Sequence, residues 1–462
     1  MEKKFRKQLS LLPIVFSLAW PTMLEQIMQT AVQYVDTAMV GSLGTTATAA
    51  VGATVTVNWL VNSTISALGV GFLAYIAQAD GAGERKKISA ASSQALLAVL
   101  VCGLFFTVLT LSLSRYVPVF MQVEPSIRDI TAKYFFILYT PMLFRTATII
   151  FGTLLRAVGD TKTPMIVGLG VNIINVVLNF ALIYPTRTVS LFSKNIRVYG
   201  AGMGVIGAAL ASAIAFIAGG ILITVALFKH PLLTPKCNSI RPNWNILKPC
   251  LSVALPNALQ RFGTSLGYVV FAAMVNSLGE ISTAAHTIAN TVESAFYIPG
   301  FGMQTAAATL AGNAYGAKDK KRIWELGKTI IFIETVLMLL SGSLLFIFAE
   351  NMVGLFSKDA QVILLGTTIL KMVALSEPFY GISIVIEGMM QGMGKTLTSF
   401  IFNITGMWGI RIVGTFICIY LLGYGLISAW SAMILHNMLL FVLFTIHYVR
   451  GKWIQSNIQV QI

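Results

Sequence analysis

The stretch Ala38-Met39-Val40-Gly41-Ser42-Leu43-Gly44 returns as Ala273-Met274-Val275-Asn276-Ser277-Leu278-Gly279, 235 positions further along a chain of 462 residues. The same offset holds to either side. Upstream, Ala19, Pro21 and Leu24 meet Ala254, Pro256 and Leu259; downstream, Thr48-Ala49-Ala50 meets Thr283-Ala284-Ala285 and Gly81-Ala82 meets Gly316-Ala317. The charged turn Glu84-Arg85-Lys86-Lys87-Ile88 meets Asp319-Lys320-Lys321-Arg322-Ile323, and Gly159 meets Gly394. One offset kept over so many blocks marks an internal duplication, and the period of a repeat decides architecture before any local pattern does.

What is duplicated is apolar. Hydrophobic residues make up 56% of the chain, charged residues 11%, and the mean hydropathy is +0.79, a mixture from which no water-facing surface can be built. A bilayer core needs roughly 20 apolar residues per helix. Runs of that length recur near 14–39, 48–78, 89–113, 128–152, 163–184, 203–228, 249–275, 284–311, 323–349, 364–391, 398–421 and 426–449. The expectation is therefore an all-α integral membrane protein of twelve transmembrane helices. It is divided into an N-lobe at 1–228, a cytoplasmic connector at 229–248 and a C-lobe at 249–462. Each lobe holds six spans, an even number, so the two copies insert with the same polarity and are expected to be related by a pseudo-twofold axis along the membrane normal.

The net charge of +15 is explained by orientation and not by nucleic acid. Basic residues fall in alternate connectors: the N-terminal Lys3, Lys4, Arg6 and Lys7, then Arg85-Lys86-Lys87, Lys162, the stretch Lys229–Lys248, Lys318–Arg322, Lys395, and Arg450 with Lys452. By the positive-inside rule both termini lie in the cytoplasm. The basic start precedes an apolar run as in a signal peptide, but no small-residue cleavage site follows, and it reads as a retained first helix. Cys102, Cys237, Cys250 and Cys418 show no CxxC spacing, and the four histidines show no HExxH, so neither a metal site, a cofactor nor hydrolytic chemistry is expected.

An ionisable residue inside a span costs several kcal/mol unless it faces a cavity or a partner, which makes each one a functional candidate. The first span offers Glu25 and Asp36, eleven residues apart; three helical turns put both on one face, roughly 16 Å apart along it. The fifth span carries Asn172, Asn175 and Asn179. Their spacing lines the amides along one helical face, either as interhelical glue or, beside an aspartate, as an oxygen-rich site for a hard cation. At the 235 offset Asp36 becomes Phe271 and Glu25 becomes Gln260, so this acid chemistry belongs to the first copy, with Phe271 as an inert counterpart. The second copy offers Arg261, Glu293, Glu377, Glu387 and Arg411, as cavity or coupling candidates or as mutually compensating charges. Pro21, fifteen residues before Asp36, is a candidate hinge because proline removes a helical hydrogen bond.

Three blocks of the first half, Tyr34-Val35-Asp36-Thr37-Ala38-Met39-Val40-Gly41, Gln78-Ala79-Asp80-Gly81-Ala82-Gly83 and Leu155-Arg156-Ala157-Val158-Gly159-Asp160-Thr161-Lys162, resemble the multidrug and toxic compound extrusion (MATE) family of the prokaryotic NorM/DinF-like type. In the second half Ala284-Ala285-His286, Pro299-Gly300 and the Trp408–Arg411 segment resemble the matching family blocks. The resemblance covers nearly the whole chain. It implies an antiporter, not an enzyme, that exports organic and often cationic compounds in exchange for Na⁺ or H⁺ by alternating access. The expected partners are small organic substrates and membrane lipid, the expected state is a monomer, and the expected location is the plasma (inner) membrane. Carried over by position, Asp36 matches the family's first-helix acid, Asn175 and Asn179 its fifth-helix polar partners, and Ser212 a common sixth-helix threonine. Thr264 and Tyr380 stand where some NorM-type members carry acids, which favours coupling through the first lobe. The alternative within the same superfamily is a flippase for lipid-linked oligosaccharide or polysaccharide.

Overall fold

The computed structural model describes residues 11–121, 123–191, 194–236 and 241–451; the basic N-terminus, Cys237 and Lys452 lie outside them. In chain order the long helices are α1 (Leu12–Gly41), α2 (Thr45–Gly81), α3 (Arg85–Leu113), α4 (Arg128–Tyr139), α5 (Met142–Ala157), α6 (Lys162–Leu182) and α7 (Gly204–Lys229). They continue as α8 (Trp244–Asn276), α9 (Glu280–Phe296), α10 (Ile298–Gly316), α11 (Lys320–Phe356), α12 (Ala360–Ala374), α13 (Glu377–Gly392), α14 (Thr396–Leu421) and α15 (Leu426–Arg450). Seven of these pass alone as long and apolar enough to cross a bilayer, and the pairs α4–α5 and α12–α13 pass together. The more polar α1, α8 and the α9–α10 pair complete twelve spans of an all-α, multi-pass membrane protein.

Prolines explain why three spans that read as continuous runs are broken. Pro141 caps α5, Pro299 stands in the first turn of α10, and Pro378 in the first turn of α13. At each point the ring cannot continue the preceding hydrogen-bond ladder but fits the start of a new helix. The α4–α5 pair bends by 49° and α12–α13 by 54°, at positions the 235 offset superposes. Pro21, by contrast, lies inside an uninterrupted α1, and Pro249 and Pro256 inside an uninterrupted α8. α14 departs from α-geometry over Thr405–Ile412 and Ile417–Leu421, where the winding is π-helical.

Between α6 and α7, where the sequence reads only as an external loop, the chain forms an antiparallel hairpin of β1 (Pro185–Leu191) and β2 (Lys194–Ala201). α14 and α15 are joined by only a few residues. The hairpin thus lengthens the first copy ahead of its sixth helix, and this is where the 235 register ends.

The helices sort into two compact units. The first comprises Leu24–Gly69 and Arg85–Leu247; the second comprises Val70–Glu84, Lys248 onward, and the segment that ends at Met23. The dividing lines fall inside α1 and α2. The first unit's core includes Phe135, Tyr139, Phe151 and Leu154, all at most 1% exposed. In the second unit one cluster gathers Val15, Met303, Leu326, Met389 and Phe444, and another gathers Phe271, Val275, Leu345, Ile369 and Trp430. α10 and α13 lie so close there that a Cβ at Gly392 would overlap the carbonyl oxygen of Ala308. Large side chains left outside, such as Phe105, Val108, Leu340, Ile347 and Leu364, are what a lipid-facing surface requires and what a water-facing one avoids.

Candidate functional site

Asp36 sits near the end of α1, half-buried, with α6 and α7 of the same unit beside it. Asn179 Nδ2 donates to its Oδ1 at 2.6 Å. One turn earlier on α6, Asn175 accepts from Asn179 Nδ2 at 3.1 Å and donates to Ser212 Oγ of α7 at 3.0 Å. Turned over, the Asn175 amide instead donates to both carboxylate oxygens, at 2.9 and 3.1 Å, and accepts from Ser212 Oγ at 3.0 Å. The second placement is the one that satisfies the donors and acceptors around it, so the carboxylate of Asp36 meets amide donors from both Asn179 and Asn175, and Ser212 anchors Asn175 from α7.

The spacing of the asparagines produces this geometry, because residues four apart on a helix stack on one face. Asn175 and Asn179 are buried, at 6% and 1% exposure. Asn172 lies on the same stripe but only half-buried, and no hydrogen bond joins it to the carboxylate. Asn179 Oδ1 is buried and has no hydrogen-bond partner. An orphaned amide oxygen beside a carboxylate is an incomplete ligand set for a hard cation, whose preferred donors are carboxylate, carbonyl and hydroxyl oxygens. The residues present thus fit Na⁺, and a carboxyl that can accept a proton fits H⁺ equally well.

Glu25 is held differently. Arg156 Nη2 of α5 donates to both its oxygens, at 2.6 and 2.8 Å, with side-chain exposures of 19% for the arginine and 12% for the acid. The acid's charge is answered inside the bundle, which favours the pairing reading of Glu25 over a share in the Asp36 network. Arg156 was visible in the sequence only as part of a family block. A second buried guanidinium, Arg145, lies over the Phe216 ring at 4.6 Å and the Tyr139 ring at 5.9 Å; it stands inside the fourth apolar run and was missed.

In the second unit the candidates fall into two groups. Glu387 Oε1 accepts from Gln260 at 2.8 Å and Gln391 at 3.1 Å, and Oε2 accepts from Asn403 at 3.3 Å. Arg261 donates to Asn257 at 3.0 Å and acts on Glu387 through its charge. Gln260 and Gln391 are the 235-offset counterparts of Glu25 and Arg156, so an ion pair in one copy is matched by two amides around a displaced acid in the other. The second group contains Glu293, which accepts from Tyr297 Oη, and Glu377. Glu334 belongs with it; it stands alone in the apolar run Ile331–Leu340, a signal that intramembrane charge should have raised. Arg411 lies over the rings of Phe271 at 4.2 Å and Tyr268 at 4.8 Å. The counterpart of Asp36 is thus a platform for a guanidinium. Among the described residues no group of three or more His, Cys, Asp and Glu is placed to hold a metal ion.

The family model MatE matches residues 21–181 and again 256–417, two copies that start 235 positions apart and end ahead of the hairpin and of α15. A probable multidrug resistance protein NorM of Thermotoga maritima is 28% identical over 95% of this chain and 92% of its own. A probable multidrug resistance protein YoeA of Bacillus subtilis is 24% identical over 89% and 87%. An outward-facing multidrug resistance MATE transporter of the MOP superfamily has the same fold, with a TM-score of 0.87 at 21% identity and 96% of each chain covered. With the duplicated family match spanning most of its length, the chain belongs to the MatE family and is a multi-pass membrane transporter of the NorM-like type.

Proposed function

We propose that the protein is a secondary active exporter that moves organic, often cationic compounds out of the cell against an inward flow of Na⁺ or H⁺. The observation that carries this reading is Asp36 within a membrane span, faced by the amides of Asn179 and Asn175, with Ser212 bonded to Asn175 behind them and Asn179 Oδ1 left without a partner. Relatives that match over most of their length carry multidrug resistance names, which supports the export of small organic molecules. The ion is taken up at Asp36, and its arrival loosens the hold of the Asn175 and Asn179 amides on the carboxylate. An ionised carboxylate calls for every available donor, whereas a protonated or cation-bound one releases them. Because the ligands come from α1, α6 and α7, this exchange alters how those helices are held together, and substrate affinity follows.

In the membrane the chain works as a monomer in the inner membrane, with both termini in the cytoplasm. Support for that orientation comes from the alternation of basic connectors. Vesicles reconstituted with the full-length protein and loaded with ethidium test the coupling. An imposed Na⁺ gradient or an imposed H⁺ gradient is expected to drive dye flux when the other is absent. Dye movement that neither gradient accelerates contradicts the proposal.

A further inference from the structure

Glu334 in the middle of α11 is 0% exposed, and neither carboxyl oxygen has a hydrogen-bond partner. The carboxyl reaches two places where the neighbouring helices carry no side chain. A Cβ at Gly300 of α10 would lie 3.0 Å from Oε1, and one at Gly381 of α13 would lie 2.8 Å from it. Glu377, in the first turn of α13, is also 0% exposed with both oxygens unpartnered; its stem packs where a Cβ at Gly342 of α11 would lie 3.4 Å away. Glu293 of α9 is 4% exposed and accepts from Tyr297 Oη. Glu377 lies within electrostatic reach of both other acids. All these groups belong to the second unit.

The other titratable and charged groups here are few. The junction of α9 and α10 adds Tyr297, α13 adds Tyr380, whose ring centroid is 5.1 Å from that of Tyr297, and α14 adds Arg411, which acts on Glu293. Lys371 of α12, the helix packed on α11, is turned onto the Phe346 ring at 5.7 Å. No described cation acts on Glu334 or Glu377.

A buried carboxylate without a partner costs several kcal/mol, and a second one within reach adds repulsion in a medium of low dielectric. Glutamine or leucine would fill the same space without that cost. Two orphaned acids walled by glycines are stable only when each keeps its proton, and among the described residues no group of three or more His, Cys, Asp and Glu is placed to hold a metal ion in its stead. A neutral carboxyl is a bound proton.

We infer that Glu334 and Glu377, with Glu293 and Tyr297 at their edge, form a proton-carrying site in the second unit, distinct from the Asp36 site in the first. It loads when these acids are sealed between α9, α11 and α13, and it releases protons when that packing loosens. The inference goes beyond the export reading, and it survives if Asp36 proves to bind only Na⁺.

The test is infrared difference spectroscopy on the purified full-length protein, following the C=O stretching band of protonated carboxyls. The band is expected at about pH 7, to weaken as the pH is raised to about 10 or when tetraphenylphosphonium is added, and to lose intensity in Glu334→Gln and in Glu377→Gln. Asp36→Asn should leave this part of the band in place, which separates the inference from the first-unit reading. Thermal unfolding establishes that each variant is folded, and either variant alone suffices. If neither removes band intensity at pH 7, the acids are ionised and the inference is wrong. It also fails if the assigned band answers to neither pH nor the organic cation, because the acids are then fixed structural groups.

Discussion

At Glu25 a single guanidinium nitrogen serves both carboxylate oxygens in a mostly buried setting, so removing Arg156 takes away the charge that answers the acid. Arg156→Gln is expected to lower stability by about 3 kcal/mol, read from thermal unfolding in detergent. Glu25→Gln together with Arg156→Gln installs the pair that the second copy carries as Gln260 and Gln391. That double variant should be more stable than Arg156→Gln alone, and a cycle showing additive losses would dissolve the pair as an energetic unit. Polar residues in apolar runs were what the sequence made legible: Asp36, Asn175, Asn179 and Glu25 all stand out that way. Direction was not legible. Asp36 was expected beside Asn175 and Asn179, but nothing in the order of residues tells that Glu25 turns to Arg156, or that Phe271 carries Arg411 on its ring, because those partners lie more than a hundred positions away.

Helix lengths followed from apolar runs, but helix breaks followed from the position of proline in the turn. Pro141, Pro299 and Pro378 begin new helices, whereas Pro21 and Pro256 sit inside continuous ones, so the residue type alone does not tell a break from a continuous helix. The hairpin of β1 and β2 was hidden for another reason: a short polar ribbon between two strong apolar runs is overshadowed by them. Close packing of α10 on α13 depends on the missing side chain at Gly392. Gly392→Val is expected to force these helices apart and cost about 3 kcal/mol or more, as over-packing of a tight core does. A monodisperse variant with unchanged thermal unfolding would show that the two helices can yield at no cost.

Over the whole molecule, duplication built the scaffold twice and the polar chemistry separately in each copy. The family match repeats at the offset that the sequence itself displays, while the acids do not: Asp36 corresponds in sequence to Phe271, Glu25 to Gln260, and Glu334 and Glu377 have no acidic counterpart at Val99 and Met142. The account's central claim is that ion uptake at Asp36 drives export, and the direct measurement is dye flux in vesicles reconstituted with wild type or Asp36→Asn under the same imposed gradient. The account predicts that the variant, folded and inserted as wild type, loses gradient-driven ethidium flux by tenfold or more, about 1.4 kcal/mol of lost coupling. Flux at the wild-type rate under both the Na⁺ and the H⁺ gradient would contradict it.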